Sequence, residues 1–224
     1  MHIGILGAGH IGATVGRLWC DAGHQVRFGT RHPERLRGLV ESIRGDASAG
    51  TPREAAEFGE VILLAVPLKA VPELAEELAP TLAHKIVLDA SNPYRERDGD
   101  VAREAIQQGK GSSRWTASKF PEACVVKAFN MQRFDALQAE AHHDTDPLAI
   151  VLASDDFVAL GVAQKLVQDA GFEPVVVGSL EEGRAFDPGT PYYAKGIHAA
   201  DLRLELGEHH AASRDSQQPG PGRA

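Results

Sequence analysis

MHIGILGAGHIGATVG, Met1 to Gly16, decides how the rest of the chain is read. A short apolar run (Ile3, Ile5, Leu6) meets Gly7-Ala8-Gly9-His10-Ile11-Gly12, and a helical spacing then carries Ile11, Val15, Leu18 and Trp19. Strand, glycine turn and helix, in that order, are the context a dinucleotide-binding G-x-G-x-x-G requires. Gly7 permits the tight turn, Gly9 lets the backbone approach a pyrophosphate, and Gly12 lets helix and strand pack closely. The helix start offers free N–H groups and a positive dipole end to phosphate. His10 and Ile11 ride on the same loop, beside the expected pyrophosphate.

Working outward, strands and helices alternate. Gln25–Gly29 reads as a second strand, followed by a helix that Pro33 opens and Leu36, Leu39, Val40 and Ile43 line. Ala47–Ala49 is a short third strand. Thr51-Pro52-x-Glu54 is a capping-box helix start. Glu60–Val66 is apolar without alternation, as expected of a strand buried on both faces. A helix with Val71, Leu74 and Leu78 leads to a fifth strand, Lys85–Asp89. Helical turns over 100–108 and 112–119 precede a sixth strand, Ala123–Phe129, and a helix over 133–139. Leu148–Ala153, a helix over 155–170 and Pro174–Val177 continue the pattern, and a helix over 192–206 closes it. The expectation is a Rossmann-type α/β fold: a doubly wound, mainly parallel sheet of about eight strands, extended by the C-terminal half. Residues 1–207 are expected to form one domain, with the His-, Gln-, Pro- and Gly-containing stretch 208–224 a disordered tail.

The 224 residues are 43% hydrophobic and 24% charged, an ordinary globular composition. With 23 basic and 31 acidic residues the net charge is −8, which argues against nucleic acid as the main partner. Cys20 and Cys124 make neither a metal spacing nor a disulfide framework, and a reduced, cytoplasmic setting fits. The N-terminus reads as a core strand rather than a signal peptide. The longest apolar run, Val61–Val66, is too short to cross a bilayer. His142-His143-Asp144 and Glu208-His209-His210 lack metal-site spacing and read as loop and tail. A two-fold homodimer is the default expectation for assembly.

The end of the second strand selects the cofactor. An NAD-preferring chain usually places Asp or Glu there; this one places Thr30-Arg31, with Arg35 one turn later. A hydroxyl and two guanidinium groups suit a 2′-phosphate, so NADP(H) is expected over NAD(H). Parallel sheets bind ligands at their carboxyl ends. That nominates Ala65-Val66-Pro67, Ser91-Asn92-Pro93 and Ala128-Phe129-Asn130. Asn92 reads equally as turn chemistry before proline. Lys127, among apolar strand residues, is expected on the alternate, solvent-facing side. Tyr192 and Tyr193 read as cleft wall or as interface. No nucleophile, metal or certain catalytic acid or base stands out.

Residues up to about Leu206 resemble the NADPH-dependent reductases of the deazaflavin coenzyme F420 and their bacterial dinucleotide-binding relatives. The carrying segments are GAGHIGATVG (Gly7–Gly16), AGHQVRFGTR (Ala22–Arg31), AVP (Ala65–Pro67) and DASNPY (Asp89–Tyr94). FPEACVVKAFN (Phe120–Asn130) and FDPGTPYY (Phe186–Tyr193) add to them. The resemblance implies hydride transfer between NADP(H) and a flat second cofactor, coenzyme F420 or a flavin, stacked on the nicotinamide. It also implies a 2′-phosphate clamp of Thr30, Arg31 and Arg35. Deazaflavin-binding members often carry histidine where this chain has Asn130. Two rival readings share the fold: an NADPH-dependent imine, keto or hydroxy-acid reductase, and a non-catalytic NADP(H)-sensing protein.

Overall fold

The computed structural model describes residues 1–143 and 145–215. Among them, eight strands form one sheet: β1 (His2–Leu6), β2 (Gln25–Gly29), β3 (Ala47–Gly50), β4 (Val61–Leu64), β5 (Ile86–Asp89), β6 (Cys124–Lys127), β7 (Ala149–Ala153) and β8 (Glu173–Gly178). Their order is β3-β2-β1-β4-β5-β6-β7-β8. The first six are parallel, β7 meets β6 antiparallel through the Lys127–Ala153 pair, and β8 runs parallel to β7. This is the doubly wound Rossmann-type sheet with a C-terminal extension. Its strand order reverses between β1 and β4, where such sheets open a crevice for ligands.

Helices cover both faces because the central strands are apolar on both. All four residues of β4 are buried. Val15 and Trp19 of α1 (His10–Asp21), Leu39 of α2 (Arg37–Ser42), Leu137 of α7 (Phe134–Glu140) and Leu166 of α8 (Phe157–Asp169) share one core with Ile5 and Leu63. The Trp19 indole N–H donates to the Leu166 carbonyl at 2.8 Å, so α1 and α8 are locked across that face. Ala55 of α3 (Pro52–Phe58), Leu78 of α4 (Val71–Leu82), Ala105 of α5 (Arg95–Gln107) and Trp115 of α6 (Ser112–Lys119) form the other core, with Leu64 and Val87. A third cluster joins Ala149 and Val151 of β7 to Phe186 and to Leu202 of α9 (Ala199–Asp215).

Local chemistry explains the element starts. The expected capping box forms: Glu54 N–H donates to Thr51 Oγ1 at 3.2 Å, and Thr51 N–H donates back to Glu54 Oε2 at 2.7 Å. Helix α5 spans a break at Gly99, whose φ of 55° a side chain would resist. Helix α9 runs to Asp215, so the stretch expected as tail begins helically. Helical hydrogen bonding continues there because no proline or glycine intervenes between Gly207 and Asp215. The rest of the expected tail, 216–224, lies outside the described residues, as does Asp144. Among the described residues no helix is long and apolar enough to cross a membrane.

Candidate functional site

The glycine loop is built by close approach. Gly7 has φ 100°, and a Cβ there would lie 2.5 Å from the Ala65 carbonyl oxygen, so the β1 and β4 ends could not sit this close with a side chain present. A Cβ on Gly12 would overlap the Gly7 carbonyl oxygen, which fixes how tightly α1 packs on the turn. Gly9 differs: a Cβ there would meet nothing within 4 Å. Its bare side faces open space, as needed where a ligand approaches the backbone. Gly9 is also the N-cap of α1, with no side-chain cap and no acidic residue in the first turn. The first N–H groups are therefore left for an anion.

At the β2 end, Thr30 is tied to β3 by its N–H to the Gly50 carbonyl at 3.0 Å. Arg31 and Arg35 are exposed, and among the described residues neither guanidinium has a carboxylate partner. Glu34, the nearby acid, lies 3.3 Å from the His32 ring instead. None of the three lines the cleft.

That cleft, about 410 Å³, opens at the carboxyl ends of the strands. Of the sequence-nominated residues, Gly9, His10, Ile11, Ala65, Val66, Pro67, Asn92, Phe129 and Asn130 line it. Gly7 and Gly12 shape the loop without lining the cleft. Ser91, Pro93 and Ala128 fall outside the lining. The Ser91 hydroxyl turns back to Asp89 Oδ1 at 2.5 Å, Pro93 lines a neighbouring cavity of about 700 Å³, and Ala128 is fully buried. Asn92 serves as more than a turn residue: its Nδ2 donates to the Asn130 carbonyl at 2.8 Å and bridges the β5 and β6 ends.

Four buried polar atoms in this cleft have no partner among the described residues: Asn92 Oδ1, both Oδ1 and Nδ2 of Asn130, and Gln132 Oε1. Asn130 is only 2% exposed, so water does not compensate it fully. Buried amides left open cost stability, so each is a group with hydrogen-bonding capacity to offer an incoming partner. Phe129, just before Asn130, is held at φ 60°, an arrangement that strains a non-glycine residue and aims the next side chain.

Sequence reasoning missed Tyr94, Arg97, Arg133 and Phe134, and left Tyr193 undecided. All five line the cleft. Phe134 stacks on the His10 ring at 4.2 Å, closing the loop side. Tyr94 and Tyr193 touch hydroxyl to hydroxyl, and the Arg97 guanidinium lies 4.7 Å from the centre of the Tyr94 ring. Burial, then the Tyr94 contact, pushes the Tyr193 phenol well above its ordinary pKa. FDPGTPYY was the available signal, but nothing local tells which surface a tyrosine pair faces.

Lys127 corrects the solvent-facing expectation. It is fully buried, and its Nζ donates to Asp187 Oδ1 at 2.6 Å. Strand β6 is interior to the sheet, with α6 packed on one face and α8 on the other, and Gly183 leaves room for the lysine stem. Asp187 also accepts from the Ser112 N–H (2.9 Å) and hydroxyl (2.7 Å). Asp89, paired in register with Lys127, is fully buried; desolvation pushes its carboxyl up despite the opposing Ser91 hydrogen bond and lysine charge. Among the described residues no cluster could hold a metal ion.

Residues 2–93 match the family described as coenzyme F420-dependent NADP oxidoreductase. The chain is 30% identical over 204 residues to the F420-dependent NADP reductase of Methanothermobacter marburgensis, covering 85% of this chain and 90% of that one. It is 32% identical over 182 residues to the rat metalloreductase STEAP3, covering 81% of this chain but only 35% of that much longer protein. A solved structure of a hypothetical protein from Sinorhizobium meliloti superposes with a TM-score of 0.76 at 24% identity, over 89% of this chain and 96% of that one, which establishes the shared fold.

Proposed function

The chain belongs to the coenzyme F420-dependent NADP oxidoreductase family and is on that ground an NADP-dependent oxidoreductase; we propose that it passes a hydride between NADP(H) and a deazaflavin acceptor of the F420 type. A flavin is the alternative acceptor. The observation that carries this reading is the set of unpartnered amides at Asn92, Asn130 and Gln132, beside the open side of Gly9. A carboxamide offers both a donor and an acceptor, the complement of Asn130. Gly9 and the first turn of α1 hold the pyrophosphate, with Gly7 and Gly12 shaping that turn. Thr30, Arg31 and Arg35 hold the 2′-phosphate through charge-assisted hydrogen bonds. Ala65, Val66 and Pro67 form the apolar floor on which a nicotinamide ring would rest.

When bound, NADPH supplies the hydride; the protein supplies distance and face. The cleft is walled by Phe134 on the loop side and by Tyr94 and Tyr193 opposite, a slot suited to a flat molecule. Purified protein mixed with NADPH and either F420 or FMN tests the reading by the absorbance of each partner. Loss of NADPH absorbance coupled to loss of the F420 band supports it. Coupling to FMN alone assigns the flavin, transfer to neither refutes the deazaflavin and flavin readings, and tight NADPH binding without turnover on any acceptor favours a sensor.

A further inference from the structure

The acceptor side of the cleft holds a hydrogen-bonded chain that the glycine-loop side lacks. Asn92 Nδ2 lies 3.5 Å from the Tyr193 hydroxyl and can only donate, so Tyr193 accepts from it. The Tyr94 hydroxyl meets the same oxygen. When Tyr94 also donates, the single Tyr193 proton is left for a third partner, and each bond upstream polarises it. The Arg97 guanidinium lies over the Tyr94 ring and donates to the Asn92 carbonyl at 2.9 Å. That positive charge favours electron density moving onto Tyr94.

The backbone around Tyr193 is pinned. Tyr193 N–H donates to the Thr190 carbonyl (3.3 Å), and Ala194 N–H to the Met131 carbonyl (2.9 Å), with Ala194 held at φ 58°. Thr190 is fastened in turn to Asp187, the buried partner of Lys127. Of the other lining groups, Asn92, Asn130 and Gln132 carry amides, Arg97 and Arg133 carry guanidiniums that do not give up protons, and the His10 ring is stacked on Phe134 at the glycine loop.

We propose that Tyr193 is the proton donor to the hydride acceptor, with Tyr94 as the group that reprotonates it, and that the acceptor is a conjugated carbonyl or imine system. This rests on the hydride-transfer reading above. As hydride from the reduced cofactor bonds to the acceptor carbon, the π pair moves to the acceptor's oxygen or nitrogen. The Tyr193 O–H bond breaks and its proton goes to that atom. Tyr94 passes its proton to the Tyr193 oxygen and takes one from water. The acceptor gains one hydride and one proton, the cofactor is oxidised, and the protein is unchanged.

The test compares Tyr193→Phe and Tyr94→Phe with the natural protein. Three quantities are read: NADPH affinity, affinity for oxidised F420 without NADPH by its fluorescence, and single-turnover transfer in H2O and D2O. Tyr193→Phe is expected to keep NADPH affinity and to bind F420 roughly 5- to 10-fold more weakly, the loss of one hydrogen bond. Its transfer is expected to slow about 100-fold, with loss of the solvent isotope effect. Tyr94→Phe is expected to slow transfer less and to reduce the isotope effect. Transfer by Tyr193→Phe at the natural rate with the isotope effect intact overturns the proton-donor role and leaves the hydride reading standing. Absence of transfer by the natural protein overturns both. If Tyr193→Phe does not fold, an unchanged isotope effect in Tyr94→Phe refutes the proposal.

Discussion

Replacing Lys127 by Met should cost about 3 kcal/mol of folding stability. Methionine nearly matches the lysine in volume, so little cavity forms and the electrostatic loss dominates. Lys127 Nζ and Asp187 Oδ1 stand 2.6 Å apart, with side-chain exposures of 1% and 15%. At an effective dielectric near 20 their gross attraction is about 6 kcal/mol. Part of that is offset by the desolvation of a fully buried ammonium. Breaking a buried pair on one side alone typically costs about 3–5 kcal/mol, because the other charge is stranded. The low end applies here: Asp187 keeps both Ser112 donors and some water. Urea unfolding at pH 7 measures the effect. With a slope of about 3 kcal/mol/M, the midpoint should fall by roughly 1 M. Lys127→Met/Asp187→Asn removes both charges while the Asn oxygen still accepts from Ser112, and should recover at least half of the loss. A midpoint shift below about 0.3 M, or a double variant no better than the single, would refute the buried-pair argument.

Three further outcomes follow from the site. Arg31→Ala should raise the NADPH dissociation constant about 10- to 150-fold, the worth of a charge-assisted phosphate bond, and leave NADH binding nearly unchanged; an equal loss for both removes Arg31 from the 2′-phosphate. Asn130→Ala should leave the unfolding midpoint of the free protein within the equivalent of about 0.5 kcal/mol, since both amide ends are unpartnered there, yet weaken NADPH binding about 10-fold. A large loss of stability with cofactor binding intact would mean the amide is structural. Asp89→Asn addresses pH. The folded carboxyl is raised above its ordinary 3.8, so its contribution is fully present below that value and is lost as pH rises through the folded pKa. The stability of Asp89→Asn relative to the natural protein should therefore be higher at pH 7 than at pH 4, and a difference that is flat or rises toward acid contradicts the assignment.

The strands and most helices were legible in the sequence because their signals are local. β4 announces itself as an unbroken apolar run, and Thr51-Pro52-x-Glu54 states its capping box within four residues. The loop from Gly7 to Gly12 was equally legible, since a positive φ and two close backbone approaches each leave a glycine in the sequence. Thr30-Arg31 could be read too, because its position depends only on where one strand ends. Lys127 was misjudged for a reason that local pattern cannot supply. Alternation says that it points away from one face, but whether the other face meets water or protein depends on β7 and on the turn carrying Gly183 and Asp187.

The sequence by itself determined the doubly wound sheet and the glycine turn that opens it. Only the tertiary structure decided the far wall of the cleft. Tyr94 and Tyr193 are 99 residues apart, and Asn92 and Asn130 are 38 apart. Their meeting depends on the β5 and β6 ends lying side by side and on the Lys127–Asp187 pair holding the Tyr193 loop against them. Backbone propensity acts over a few residues. Convergence across a sheet is set by the packing of the whole core, and that is where the far wall of this cleft is made.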